Sequence, residues 1–252
     1  MTDHWLYFPC RIGDDLAFIF YDHGVRETID GLSNANLLRV RIALEAPHEN
    51  GLPTHQESVA LTAFEDAFQD IVSRSGGDYV GRVTVAGTRE FLSYVTEGES
   101  AWVAHLASLP GEHGYPLEVR VEADPAKRGY WDDLFPSDHD WQVIQDLKVI
   151  DSLAENGDDL SLARRIDHWA TFSDKAKALA FQVWAKGEGF HVESILDPDE
   201  DDEAFAVRLY HVGTPRVEEI SPVTIRLADA AKERDGEYDG WETSVESAGA
   251  ND

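Results

Sequence analysis

Cysteine occurs once in the 252-residue chain, at Cys10. A single thiol excludes an intramolecular disulfide and every metal centre built from several cysteines. Positive charge is scarce: 21 Lys and Arg stand against 49 Asp and Glu, a formal net charge of −28 with histidine neutral. Polyanions are held by basic patches that release condensed counterions, so a field of this sign argues against direct binding of nucleic acid or anionic membranes. Long apolar runs are missing too. No stretch approaches the roughly 20 residues that span a bilayer, and Met1-Thr2-Asp3-His4-Trp5 lacks the basic-then-apolar order of a secretory leader. The expected location is cytoplasmic.

What is present is core material. With 42% apolar residues and seven Trp, the chain is too rich in core formers for an acidic disordered segment. Its length suits one large or two small domains. In the first half, Trp5 to Cys10 and Leu16 to Tyr21 read as a hairpin across Gly13-Asp14-Asp15, followed by a strand over residues 37–44. After Gly51-Leu52-Pro53-Thr54 a helix is expected, with Ala60, Phe64, Ala67, Phe68, Ile71 and Val72 as its stripe and Gly76-Gly77 as its stop. A second hairpin spans Tyr79 to Val95 around Gly87-Thr88, then a short helix near 101–108 and a strand over 115–122. The junction is placed at Pro136-Ser137-Asp138, giving domains 1–137 and 138–252.

The second half has a more decisive order. A helix from about Trp141 to Glu155 leads through Asn156-Gly157-Asp158-Asp159 to a strand over 163–172, in which Ile166, His168 and Ala170 share a face. A helix capped by Ser173 runs to Lys186, strands follow over 190–196 and 205–212, and Ser221-Pro222 opens the next helix. The last strand covers 237–245. Residues 163–246 thus run β-α-β-β-α-β, the order of a ferredoxin-like sandwich. The fold class is α+β, with a mixed antiparallel sheet and helices in the N-terminal domain. Charge is shared unequally: residues 1–137 hold 22 acids and 10 bases, residues 138–252 hold 27 and 11. Recognition by charge would favour the second domain.

Few motifs carry chemistry. Asp197-Pro198-Asp199-Glu200-Asp201-Asp202-Glu203 begins like a calcium loop, but Asp202 stands where a glycine is required and Arg208 where a bidentate Glu is needed, so a solvated hairpin tip is expected. His168, His191 and His211 lie on strands of the second domain and could converge, yet no zinc spacing is present and no metal is expected. There is no nucleophile elbow, no phosphate-cradling glycine loop, and Cys10 has no adjacent histidine. Doublets such as Asp132-Asp133 and Glu218-Glu219 point apart. No catalytic residue and no cofactor is assigned.

The most specific segment is Glu237-Tyr238-Asp239-Gly240-Trp241-Glu242-Thr243. Glycine within a strand marks a bulge, and Tyr and Trp either pack the sheet or serve as interface hot spots. The candidate protein-interaction residues are Tyr238, Asp239 and Trp241 here, with Asp199, Glu200 and Asp201 of the acidic turn.

At Tyr238-Asp239-Gly240-Trp241-Glu242-Thr243 the chain resembles the closing motif of the regulator of ribonuclease E activity B (RraB) family. Asp167-His168-Trp169, Gly189-Phe190 and Asn156-Gly157-Asp158-Asp159 extend the resemblance over roughly residues 140–246. It implies a ferredoxin-like fold and a non-catalytic protein that binds a ribonuclease E-like nuclease and inhibits it. An acidic domain suits a basic, RNA-binding stretch of such a nuclease. Through Gly51-Leu52-Pro53, Gly87-Thr88-Arg89-Glu90-Phe91 and Val121-Glu122-Ala123-Asp124-Pro125, the first half looks like the bacterial "domain of unknown function 695" family, which adds an architecture and no activity. The alternative is a small-ligand or enzymatic module in the N-terminal domain, suggested by Trp5, Tyr7, Tyr94, Tyr130 and Trp131. A third is an adaptor that pairs through its sheet with another chain.

Overall fold

The computed structural model describes residues 2–198 and 204–247. The chain divides into two compact units, Met1–Asp140 and Trp141–Asp252.

In the first unit, β1 (Trp5–Ile12) and β2 (Asp15–Asp22) form a hairpin, and β3 (Asn36–Ala43) follows two short 3₁₀ turns. Helix α1 (His55–Arg74) starts where the Thr54 side chain accepts a hydrogen bond from the Glu57 amide, an N-cap for an otherwise orphaned donor. Its buried stripe runs Glu57, Leu61, Phe64, Phe68 and Val72, the 3.6-residue spacing of one helical face. Ala60, expected on that stripe, is exposed, because the arc turned to the sheet is centred on Leu61, Phe64 and Phe68 and Ala60 falls outside its edge.

Strands β4 (Asp78–Val85) and β5 (Thr88–Val95) turn through Ala86-Gly87, both with positive φ, as a tight hairpin requires. Helices α2 (Glu99–His105) and α3 (Leu109–His113), strand β6 (Glu118–Ala123) and the short α4 (Arg128–Trp131) complete the unit. The six-stranded sheet has the order β1-β2-β4-β5-β3-β6, every pair antiparallel.

Register and alternation divide the side chains of this sheet into two faces. Helices α1, α2 and α3 cover Leu38, Val40, Ile42, Tyr79 and Phe91 on one face, with Trp102, Leu106 and Leu109 in the same cluster. On the other face Gly129 approaches Leu37, and the Tyr130 hydroxyl donates to the Asp22 carbonyl at 2.9 Å.

The second unit is built from α5 (Asp138–Glu155), β7 (Arg164–Phe172), α6 (Lys175–Gly187), β8 (His191–Leu196), β9 (Phe205–Gly213), α7 (Val217–Lys232) and β10 (Gly236–Thr243). From β7 onward the order is β-α-β-β-α-β, and the antiparallel sheet reads β10-β7-β9-β8. This is the ferredoxin-like sandwich. Ala170, Phe172, Val207 and Leu209 on the sheet meet Phe181, Ala185, Leu227 and Ala231 from α6 and α7.

Two helix starts differ from expectation. Asp174, not Ser173, caps α6, its carboxylate accepting from the Ala176 amide at 2.6 Å. Helix α7 begins at Val217, a turn before Pro222, which therefore lies inside the helix. The early turn places Ile220 wholly in the core and Glu218 and Glu219 at the positive end of the helix dipole, which together offset the hydrogen bond that Pro222 cannot donate.

Gly81 sits at a bulge in β4, where a Cβ would lie 2.6 Å from the Phe20 carbonyl oxygen and 2.9 Å from the Leu134 side chain. Neither neighbour is free to retreat, since Leu134 is fully buried. Gly81→Ala should therefore destabilise the protein by about 2 kcal/mol or more, seen as a lower urea midpoint in the transition of the N-terminal unit.

Candidate functional site

In β10 the extra residue is Asp239: Tyr238 opposes Ala170, Gly240 opposes Trp169, and the register shifts between them. Gly240 has φ +125°, a backbone state that suits glycine. The bulge changes which way side chains point. In an unbroken strand residues three apart face opposite sides, but here Tyr238 and Trp241 both turn toward the helices, and Asp239 stays exposed.

Trp241 is 7% exposed and packs with Ile150, Leu153, Ile166 and Ile220. Its indole N–H donates to Asp146 Oδ1 at 3.0 Å. Asp146, fully buried on α5, also accepts from Thr224 Oγ1 of α7 at 2.7 Å and from Gln142 Nε2 at 3.0 Å. Burial raises its pKa above the usual carboxylate range against the pull of these donors. The closing motif thus clamps β10 to both helices.

Tyr238 enters a second polar chain. Its hydroxyl lies 2.8 Å from His168 Nδ1, and His168 Nε2 lies 2.8 Å from His211 Nδ1, so one ring nitrogen of that pair donates and the other accepts. Burial, and then the neighbouring His211, push His168 down to about 3. Burial and then Arg226 lower His211, while burial and then the charges of Asp146 and Asp239 raise Tyr238. At neutral pH the chain is uncharged. His191 does not join it: it is exposed and stacks on Tyr210 at 4.8 Å. Among the described residues no group of three His, Cys, Asp or Glu could hold a metal ion.

The sheet face turned away from the helices carries an ion and aromatic lattice. Arg165 pairs with Asp167 (2.5 Å) and Glu193 (2.8 Å), and Arg208 pairs with the same two acids at 3.4 and 3.3 Å. The Arg165 guanidinium lies 4.1 Å above Tyr210 and that of Arg208 5.6 Å above Trp169. The hydrogen bond from Arg165 keeps Asp167 below its ordinary pKa. Two cations are matched by two acids, and Glu237 and Glu242, which oppose Thr171 and Asp167 on this face, stand exposed beside them. Of these face residues Asp167, Trp169, Glu237 and Glu242 fall within motifs of the sequence, and Arg165, Glu193, Arg208 and Tyr210 do not. The signal was there as alternation: Arg165-x-Asp167-x-Trp169 and Arg208-x-Tyr210.

Asp158 of the Asn156-Gly157-Asp158-Asp159 segment is structural. Its carboxylate receives Arg164 in a bidentate pair, one arm at 2.8 Å, and caps the Glu246 amide at 2.8 Å, which fixes the chain beyond β10. Asp199, Glu200 and Asp201 lie outside the described residues. The five aromatics marked in the first unit split between the sheet faces. Trp5 stacks on Phe20 and Tyr79 beside α1, whereas Tyr94, Tyr130 and Trp131 belong to the opposite side, where Tyr94 donates to Asp124 at 2.8 Å and Trp131 to Asp30 at 2.9 Å. Cys10 on edge strand β1 is pushed up to about 11, by burial first and Asp140 second, so at neutral pH it is a thiol. No helix among the described residues is long and apolar enough to cross a membrane.

Two outcomes are expected of the C-terminal site. Trp241→Phe keeps an aromatic ring but loses the pyrrole part of the indole with its donor to a buried carboxylate, so the lost hydrogen bond and the void together should cost about 2 kcal/mol or more in urea unfolding. Below pH 6.5, the ordinary histidine value, the unfolded chain takes up a proton that folded His168 refuses until about pH 3. Folding stability should therefore fall as pH drops through that window, and His168→Gln should reduce the slope by about one proton, or about 1.4 kcal/mol per pH unit, read from urea midpoints across the range.

Comparison with known proteins follows the same division. Residues 144–243 match the family model described as Regulator of ribonuclease activity B, and residues 3–135 match the Family of unknown function (DUF695). No curated protein matches the chain. Among solved structures, an unknown protein from Galdieria sulphuraria aligns at 8% identity over 84% of this chain and 99% of its own, with a TM-score of 0.23. A candidate glycine cleavage system transcriptional repressor aligns at 9% identity over 83% and 98%, also with a TM-score of 0.23. The chain belongs to the family of unknown function DUF695, whose model spans more than half of it, and joins that domain to a C-terminal domain of the regulator of ribonuclease activity B family.

Proposed function

We propose that this protein is a non-catalytic regulator whose C-terminal domain binds a ribonuclease E-like nuclease and lowers its cleavage of RNA, acting in the cytoplasm. The observation that carries the reading is the match of residues 144–243 to the regulator of ribonuclease activity B family, on a domain with the fold that this resemblance implied. Charge supports it. On the open sheet face the two arginines are consumed by Asp167 and Glu193, and among the described residues no cation pairs with Glu237 or Glu242. Exposed carboxylates beside half-buried Trp169 and Tyr210 suit a basic segment with an apolar stem, because cations gain from both the acids and the aromatic faces. RNA, a polyanion, would compete for the nuclease and not for this domain. Asp239, exposed at the bulge, belongs to the same acidic border.

Capture of the nuclease on the full-length protein, followed by an RNA-cleavage assay with increasing protein, tests the proposal. Binding should weaken as salt rises, since exposed charges are screened over about 8 Å at physiological ionic strength. The double change Glu237→Lys and Glu242→Lys should reduce affinity by about tenfold or more without altering the fold, as read by circular dichroism. Failure to capture a nuclease, with cleavage unchanged at excess protein, would sink the idea.

A further inference from the structure

Helix α1 packs through Phe64 and Phe68 on Phe91 of β5 and through Phe68 on Tyr79 of β4, and a groove of about 510 Å³ lies on that face of the N-terminal sheet, lined by β2, β4 and the start of β5. Its walls are Tyr7, Phe18 and Phe20, with Leu52 and Pro53 at the rim. The loop bearing the rim is tied down: the Glu57 carboxylate accepts from the amides of Glu45 and Ala46, and the Gly51 carbonyl accepts from the Gly87 amide. The polar groups in the groove are Arg82, Thr84 and Arg89.

Their charge does not balance. Glu65, 6% exposed, accepts from the Tyr79 hydroxyl on Oε1 at 2.7 Å and from Arg82 Nε on Oε2 at 2.6 Å, and Arg89 reaches that same Oε2 only at 3.8 Å. Arg89 Nε donates to Thr84 Oγ1 at 2.9 Å, and the terminal nitrogens of both arginines make no further hydrogen bond among the described residues. Arg82 is fixed in place by lying 4.5 Å above the Phe20 ring, which itself stacks on Trp5. One carboxylate therefore serves two guanidiniums, one of them 7% exposed, in a chain that otherwise has acids to spare. Burial and the nearby Arg82 lower Arg89 to about 10, still cationic at neutral pH.

We infer that this groove is a binding site for a small organic monoanion, a carboxylate on an aromatic or aliphatic body, with the apolar part against Phe18, Phe20 and Pro53 and the carboxylate on Arg82 and Arg89. A single negative charge restores neutrality to the Arg82, Arg89 and Glu65 group. Multiply charged anions overshoot that balance and are repelled by the surrounding acidic surface, which selects against phosphate and polyphosphate. The site is independent of the proposed nuclease partner, since it lies wholly within the N-terminal unit.

Titration of the full-length protein with sodium benzoate or hexanoate, followed by ¹H–¹⁵N NMR, should give saturable shifts at the Thr84 amide and the Arg82 and Arg89 Nε–H signals. Benzamide and hexanamide, neutral and of like shape, should bind about tenfold more weakly or worse, because guanidinium recognition of a charged acceptor is lost. Arg82→Met leaves a one-to-one pair and should abolish the preference for the acid over the amide. Glu65→Gln raises the unbalanced charge and should tighten benzoate about tenfold, a gain that misfolding cannot produce. No saturable shift with either acid, equal binding of acid and amide, or inorganic phosphate binding as tightly as benzoate would each overturn the assignment.

Discussion

Asp146 is buried with no cation against it among the described residues, and it is tolerated because three elements each supply a donor: Gln142 from α5, Thr224 from α7 and Trp241 from β10. Removing an ionisable carboxylate from water is costly unless its lone pairs are met, so the arrangement of these three elements is set by the need to meet them. Trp241 can reach Asp146 only because the Asp239 bulge resets the alternation of β10. That same reset brings Tyr238 under the sheet to meet His168. The closing motif is in this sense one device: a glycine that permits a bulge, and two aromatics that the bulge turns inward.

The N-terminal domain uses buried acids in a related way and with a different balance. Asp124 accepts from the amides of Arg128 and Gly129 and from the Tyr94 hydroxyl, holding the segment that carries α4 against the sheet. Against the cost of burial, these donors keep its carboxyl below the ordinary range. Lys127, almost fully buried at positive φ, donates to the Asn34 carbonyl and lies 4.2 Å from the Tyr94 ring. There the charges of Lys127 and Asp124 favour one another across the Tyr94 ring. At Glu65 one carboxylate meets two guanidiniums, and the surplus positive charge borders an aromatic groove. An acidic chain thus shelters a surplus guanidinium in an aromatic groove of one domain, while Glu237 and Glu242 stand exposed on the sheet of the other.

Much of this could be read along the chain. Hairpins showed through Gly13 and Gly87, the α1 segment through its 3.6-residue stripe, and the second domain through an order of elements that has few packed solutions. Errors were local: the stripe moved by one residue to Leu61, the α6 cap moved from Ser173 to Asp174, and α7 began a turn before Pro222 because burying Ile220 outweighed the preference of proline for the first position. The Gly240 bulge was legible, since glycine inside a strand has few other uses. The five N-terminal aromatics looked like one cluster, and register assigned them to two faces.

Composition, period and turn chemistry by themselves determined the α+β class, the two-domain plan, the βαββαβ order, the acidic character and the presence of a bulge at Asp239-Gly240, because each of these depends on residues close in sequence or on simple sums. Tertiary structure alone decided that His168 meets His211 and leaves His191 outside, that Tyr238 and Trp241 point inward together, and that Arg82 and Arg89 share one carboxylate across a groove. Those facts depend on which strands pair and in what register, and a shift of one residue would have sent each side chain to the opposite face.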